Sequence, residues 1–391
     1  MGTSKLKIKK QLLEQEKVSY AMDHIVLPEG GIDCSEGCNP YGFPPECEAA
    51  LRSFDAARLG PYPHSQALYE AIGKYWQEYI NVERGNILLA DGSMSALYIV
   101  NNIFDTHDAA VLGVSPQFTD YYMHAAMIGI EYIPYQLDKS RNYRFDTDEF
   151  IAMIRGEKGC GTLTDTDRPY NFIYIDNPNN PTGQCIDISD VERIVAEALQ
   201  HNITIIIDEA YGDFMPKQNS AVQLCEKYPN LSVIKTMSKG YGLAGMRVGY
   251  IIAHKELIGY MNKMTNPYMV GELTREIAAA ALECTEFVES SKADFKKMKS
   301  EIKAALGCSE ARPEGESGSL HIAETLDTSS ICLLYHDNPE IELNKEFFGR
   351  GVLAVDGNDF KGLDSTSVRM RMPKLDEFPV LLRAIQEINK L

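Results

Sequence analysis

From about residue 86 to residue 253 the sequence alternates short apolar, β-rich runs with stretches of helical periodicity, and few folds accept that pattern. Two strands running the same way need a crossover, usually a helix, so the alternation points to a mostly parallel sheet covered by helices. The expected strands are Ile87 to Ala90, Ala110 to Val114, Phe172 to Ile175, Ile203 to Ile207, Val233 to Thr236 and Val248 to Ala253. Several carry no polar residue between their apolar ones, as burial on both faces requires. One intervening helix is legible in detail: Ser189 and Glu192 have the spacing of a capping box, and Val191, Ile194, Val195, Ala198 and Leu199 form an apolar stripe.

After residue 270 the pattern changes. Glu276 to Ala305 reads as one long helical run, and the remainder mixes short strands with a closing amphipathic helix carrying Phe378, Leu381, Leu382, Ile385 and Ile388. The segment 30–45, rich in Gly, Pro and Cys, reads as a loop joining two units. A chain of 391 residues has room for roughly two to three domains. The expectation is an α/β protein with a large domain over 46–275 and a smaller α+β domain built from 276–391 and 1–45, the latter including an N-terminal arm.

Charge removes several functions. With 38 Lys and Arg against 56 Asp and Glu the net charge is -18, which repels nucleic-acid phosphates and anionic membranes over most of the surface. No run approaches the roughly eighteen apolar residues of a membrane span. Lys5, Lys7, Lys9, Lys10 and Lys17 make the start locally basic, but without the apolar core of a signal peptide it reads as a solvated helix or arm. Leu6 stands where an N-myristoylation signal needs Ser or Thr. Nine cysteines without a repeating spacing suggest free thiols in a reducing, cytoplasmic compartment. Cys34, Cys38 and Cys47, with His24 nearby, lack the paired spacing of a metal site, so no metal is expected.

The chemistry concentrates in three segments. Thr236 to Tyr250 holds Gly240, Gly242 and Gly245 in a formal G-x-G-x-x-G, yet an apolar strand follows at once where a dinucleotide loop opens a helix. What the stretch offers instead is Lys239 among hydroxyls, a glycine-rich turn and Arg247, a nucleophilic amine beside an anion site for which Thr236, Ser238 and Arg247 are candidates. Asp176 to Gly183 ends one expected strand in a polar, proline-fixed turn, and Asp208 to Tyr211 closes the next. Ligands of open α/β sheets bind beyond such carboxyl ends. A carboxylate leaving an isoleucine-rich strand needs a cationic partner, and a protonated pyridine nitrogen is one.

In these segments the chain resembles fold-type I, pyridoxal-phosphate-dependent enzymes of the class I/II aminotransferase family. Within it, Ile32 to Ser35, Asn39 to Gly42 and Asn358 to Leu363 are similar to the histidinol-phosphate aminotransferase and threonine-phosphate decarboxylase branch. The resemblance implies a three-layer large domain, a homodimer, amino-acid and oxo-acid substrates, and pyridoxal 5'-phosphate as cofactor. Lys239 would bond the cofactor aldehyde and then act as acid and base, Asp208 would pair with the pyridinium nitrogen, and Asn180 and Tyr211 would bind the ring's phenolic oxygen. Gly92, Ser93 and Met94 would present a helix N-terminus to the phosphate, with Ser238, Arg247 and Thr236 completing the cradle and Tyr62 reaching in from a second subunit. Phe118 would stack on the ring. Arg369, in preference to Arg371, would grip the substrate carboxylate.

Two departures stand out. The segment Gly351 to Asp356 lacks the arginine that many members of the branch carry for a substrate phosphate or carboxylate, and Gly318 to Tyr335 also differs. Transamination is the first expectation and decarboxylation or lysis of an amino acid the alternative. A ligand-sensing regulator is a third, but such regulators carry a DNA-binding domain ahead of the aminotransferase part, and the roughly thirty residues before the first motif are too few for one.

Overall fold

The expected strands form because β-branched residues dominate them and both of their faces find a core. Ile205 and Ile207 enter one apolar cluster while Ile206 enters another on the opposite side of the sheet. A computed structural model describes residues 7–14, 25–104, 109–157, 170–307 and 319–391. In chain order its strands are β1 (Ile32–Asp33), β2 (Ile87–Ala90), β3 (Ala110–Ser115), β4 (Glu131–Gln136), β5 (Phe172–Asp176), β6 (Thr204–Asp208), β7 (Leu231–Thr236), β8 (Gly249–Ala253), β9 (Leu320–Ile322), β10 (Ile331–His336), β11 (Val352–Leu353), β12 (Val355–Asp356) and β13 (Ser367–Arg371).

Seven of them make one sheet in the order β2-β8-β7-β6-β5-β3-β4. Strands β3 to β7 run parallel, and β8 is antiparallel to both of its neighbours. One face is covered by the helices Ser93–Asn102, Thr119–Ile128 and Lys255–Met264. The other is covered by Ala67–Trp76, Thr147–Ile154, Ile188–Gln200 and Glu272–Leu282. This is the α/β, three-layer arrangement expected of the large domain. A second, antiparallel sheet of order β12-β13-β10-β9 packs with the helices Thr285–Leu306, Leu343–Phe348 and Phe378–Ile388, while β1 pairs in parallel with β11.

Three local expectations need correction. Strand β4 is absent from the sequence reading because Pro134 interrupts its apolar run; β4 is an edge strand, where a missing N–H costs no ladder bond. The capping box does not form: the helix starts at Ile188 after Asp187, and Glu192 instead pairs with Lys227 at 2.6 Å and accepts from the Tyr228 hydroxyl at 3.0 Å. The run from Glu276 to Ala305 is two helices, parted at Glu283 and Cys284, because the first packs on Pro45–Ser53 and Ala67–Trp76 and the second on Phe378–Ile388. The division at 275/276 therefore falls inside a helix. Lys7, Lys9 and Lys10 of the basic arm are exposed, whereas Lys5, Leu6, Lys17 and His24 lie outside the described residues.

Candidate active site

Strands β5 and β6 are in register so that their last residues, Asp176 and Asp208, stand side by side, and β7 ends at Thr236 just before Lys239. The carboxyl ends of three parallel strands thus deliver two acids and an amine to one edge of the sheet. A cavity of ≈ 490 Å³ opens there. Ser93, Met94, Phe118, Asn180, Asp208, Tyr211, Ser238, Lys239, Arg247 and Arg369 all line it.

Burial pushes the Asp208 carboxyl up to about 6, against the pull of hydrogen bonds from the Tyr174 hydroxyl at 3.0 Å and the Ala210 amide at 2.9 Å. Asp176 rises to about 7 for the same reason, although the Asn180 amide and the Asn179 side chain each donate to it at 2.9 Å. Those two bonds hold the turn that carries Asn180. Behind Asp208, the Tyr174 ring stacks on Tyr121 at 3.6 Å. The buried Lys235 bridges Glu209 at 3.2 Å and Asp213 at 3.5 Å, bracing β7 against the segment that carries Tyr211.

At the opposite wall Gly92 adopts φ +94° ahead of the helix Ser93–Asn102, and a Cβ there would lie 2.5 Å from an Arg247 Nη. Only glycine lets the guanidinium come so close to the helix N-terminus. Thr236 lies behind the cavity lining: its hydroxyl is 2.9 Å from Ser238 Oγ and 3.1 Å from the Val248 carbonyl, and it accepts from the Ser238 amide at 3.2 Å. Tyr62 is 70% exposed, stacked on Tyr268 at 4.8 Å, and does not line the cavity of its own chain.

The two arginines of β13 are separated by their surroundings. Arg369 Nη2 donates to the Ser35 carbonyl and Nη1 to Asn180 Oδ1 at 3.4 Å, while its buried Nε has no partner. Arg371 donates to the Asp33 and Met372 carbonyls and does not line the cavity. Sequence reasoning missed the segment Asp33 to Cys38, which closes the cavity from the other side. A Cβ at Gly37 would collide with the Tyr211 hydroxyl and lie 3.4 Å from Lys239 Nζ. No periodicity signals such a loop. Asp176 had a signal that went unused, its place at the end of a strand beside Asp208.

Residues 32–377 match the family model described as Aminotransferase class I and II. The chain belongs to that family. It is 28% identical over 392 residues to the histidinol-phosphate aminotransferase of Methanocaldococcus jannaschii, covering 98% of this chain and 95% of that one. Among solved structures it is similar to the histidinol-phosphate aminotransferase of Clostridium acetobutylicum, with TM-score 0.76, 23% identity and coverage of 92% and 99%. The Sinorhizobium meliloti enzyme of the same name, in complex with pyridoxal-5'-phosphate, gives TM-score 0.74, 17% identity and coverage of 98% of each chain. At those identities the structures speak for the fold. With family membership and fold established, the chain is a pyridoxal-phosphate-dependent aminotransferase.

Three features of the cavity suit that cofactor. The Tyr211 hydroxyl is buried without a partner, as a group awaiting a ligand oxygen would be. Asp208, 3% exposed, accepts hydrogen bonds from neutral donors alone, so a protonated ring nitrogen would satisfy it. Ser93 opens a helix beside Ser238 and Arg247, a setting for a phosphate. No helix among the described residues is long and apolar enough to cross a membrane.

Proposed function

We propose that this aminotransferase takes its amino group from a donor with a free α-carboxylate, and that Lys239, Asp208 and Arg369 carry the reaction. Pyridoxal phosphate, when bound, supplies an aldehyde that bonds amines and a ring that takes up the electron pair left by a broken Cα bond. Lys239 would hold the cofactor covalently at rest and, once released, take the proton from the substrate Cα and return it on the cofactor side. Asp208 would keep the ring nitrogen protonated, its ionised form stabilised by that charge. Tyr211 and Asn180 would hydrogen-bond the phenolic oxygen, and Phe118 would stack on the ring. Ser93, Met94, Gly92, Ser238 and Arg247 would bind the phosphate, with Thr236 holding Ser238 in place.

Arg369 would grip the carboxylate through its fork, which fixes the Cα bond presented to Lys239. Gly37, having no side chain, would leave room for the Tyr211 hydroxyl and the Lys239 amine. The observation that carries this reading is the convergence of the Lys239 amine, the Asp208 carboxylate and the unpartnered Arg369 Nε on one cavity. The proposal extends to a homodimer in which Tyr62 reaches the partner's site, to a large and a smaller domain with the boundary moved from 275/276 to the helix break at Glu283 and Cys284, and to the cytoplasm, which suits the free cysteines.

Borohydride reduction of the holoenzyme followed by peptide mapping tests it. A pyridoxyl label on Lys239 is expected, together with a keto-acid product when donor is added. Label on another lysine, or carbon dioxide without keto acid, would overturn the assignment.

A further inference from the structure

Part of the cavity wall has no task in the chemistry above. It is made by Ile25, Asp33, Glu36 and Leu353, and its charged members are both acids exposed to solvent. The Asp33 carboxylate accepts from the Ser35 amide at 2.8 Å and from the Ser35 hydroxyl at 2.6 Å. Glu36 has neither a hydrogen-bond nor an ion-pair partner among the described residues.

The position of this wall relative to the substrate is constrained. Arg369 Nη2 donates to the carbonyl of Ser35, the residue immediately before Glu36. The fork proposed for the α-carboxylate and the free acid are therefore tied together by one hydrogen bond and one peptide unit. The unpartnered Arg369 Nε independently marks where the ligand's carboxylate end belongs.

Charge then decides what the other end can be. Among the described lining residues the cations are Lys239, Arg247 and Arg369, and each already has an amine, phosphate or carboxylate task. A donor with a second anion would bring it to two acids, with no further cation among the described lining residues to pair it, which repels it and strips its water without return. A side-chain ammonium would meet a carboxylate with no competing partner, while Ile25 and Leu353 cover its methylenes.

We infer that the enzyme selects amino donors whose side chain ends in a cation, with Glu36 as the specificity residue and Asp33 beside it. The inference rests on the reading of Arg369 as the carboxylate grip.

Half-reactions of the holoenzyme, followed by the cofactor's absorbance, test it with L-lysine, norleucine as the same chain without the amine, L-glutamate and histidinol phosphate. Lysine should exceed norleucine in kcat/KM by about tenfold, the worth of a hydrogen bond to a charged group, exceed glutamate with its second anion by more, and exceed histidinol phosphate, which has no α-carboxylate for Arg369 to grip. Glu36→Gln should bring the lysine to norleucine ratio close to one, and Glu36→Asp should retain most of it. Because Glu36 is exposed, neither substitution disturbs packing. A wild-type preference for glutamate, histidinol phosphate or norleucine, or a ratio unmoved by Glu36→Gln, overturns the inference and leaves the aminotransferase reading intact. Failure of every donor to react would overturn both.

Discussion

Asp208 and Asp176 show how position along a strand sets chemistry. Both end isoleucine-rich parallel strands, and burial raises both, to about 6 and about 7 from an ordinary 3.8. For Asp208 in the ligand-free protein the sign is unfavourable to the charge. Between 3.8 and about 6 the folded chain holds a proton that the unfolded chain has released, so stability is lost as pH rises through that window. A protonated ring nitrogen reverses this by stabilising the carboxylate. Cofactor affinity should therefore fall as pH drops below about 6, because Asp208 takes up a proton and the ion pair is lost. Asp208→Asn should weaken binding by about two orders of magnitude, from the loss of one member of a buried pair, and should flatten the profile. Fluorescence titration of the apoenzyme with pyridoxal phosphate between about pH 5 and 8 reads both effects; an unchanged slope in the variant would assign the pH dependence to another group.

At the scale of elements, the segment from β1 to Gly42 acts as a strap between the two sheets. Its Cys34 amide donates to the Leu353 carbonyl at 2.8 Å and its Cys34 carbonyl accepts from the Arg371 amide at 2.9 Å, which fixes one end to β11 and β13. The other end is fixed by Asn39, whose amide donates to the Lys239 carbonyl at 3.0 Å and whose side chain donates to the Gly240 carbonyl at 2.9 Å. Gly37 sits between these anchors, against Tyr211 and Lys239. Gly37→Ala forces either the strap or the Tyr211 hydroxyl to move. Overpacking of this kind costs about 1–3 kcal/mol, and a misplaced acid–base group costs about a hundredfold in rate. The expected result is a modest fall in Tm with a much larger fall in kcat, measured by thermal melts and half-reaction kinetics. A normal kcat would mean that the strap yields without disturbing the amine.

Over the whole molecule, the net charge of -18 contrasts with a cavity in which the cations Lys239, Arg247 and Arg369 stand among the acids Asp33, Glu36, Asp176 and Asp208, so charges of both signs are concentrated at the site. Tyr62, Leu59 and Tyr268 are exposed at 70%, 62% and 45%, apolar surface that a dimer would cover. If Tyr62 completes the partner's site, Tyr62→Phe should loosen cofactor retention by about three- to tenfold, the worth of one hydrogen bond. Wild-type retention should then fall on dilution in step with dissociation of the dimer. Dialysis at several protein concentrations alongside sedimentation checks this, and retention by a monomer equal to that by a dimer would rule it out. The alternation of runs such as Ile203 to Ile207 with stripes such as Val191 to Leu199 was enough to read the layered sheet, because two-residue and 3.6-residue periods are local properties of the chain. Lys239, Asp208 and Asn180 were legible for a related reason: each belongs to a short segment whose residues act together. The capping box at Ser189, the helix break at Cys284 and the closing wall from Asp33 to Cys38 were not legible. They depend on contacts such as Arg369 to Ser35, 334 positions apart, and Asn39 to Gly240, 201 apart. By itself the sequence determined most of the sheet, the helices between its strands and which residues stand at the strand ends, while the tertiary structure alone decided which acids are buried and what faces the amine, because burial and long-range contact come from packing whole elements against each other and leave no local pattern to read.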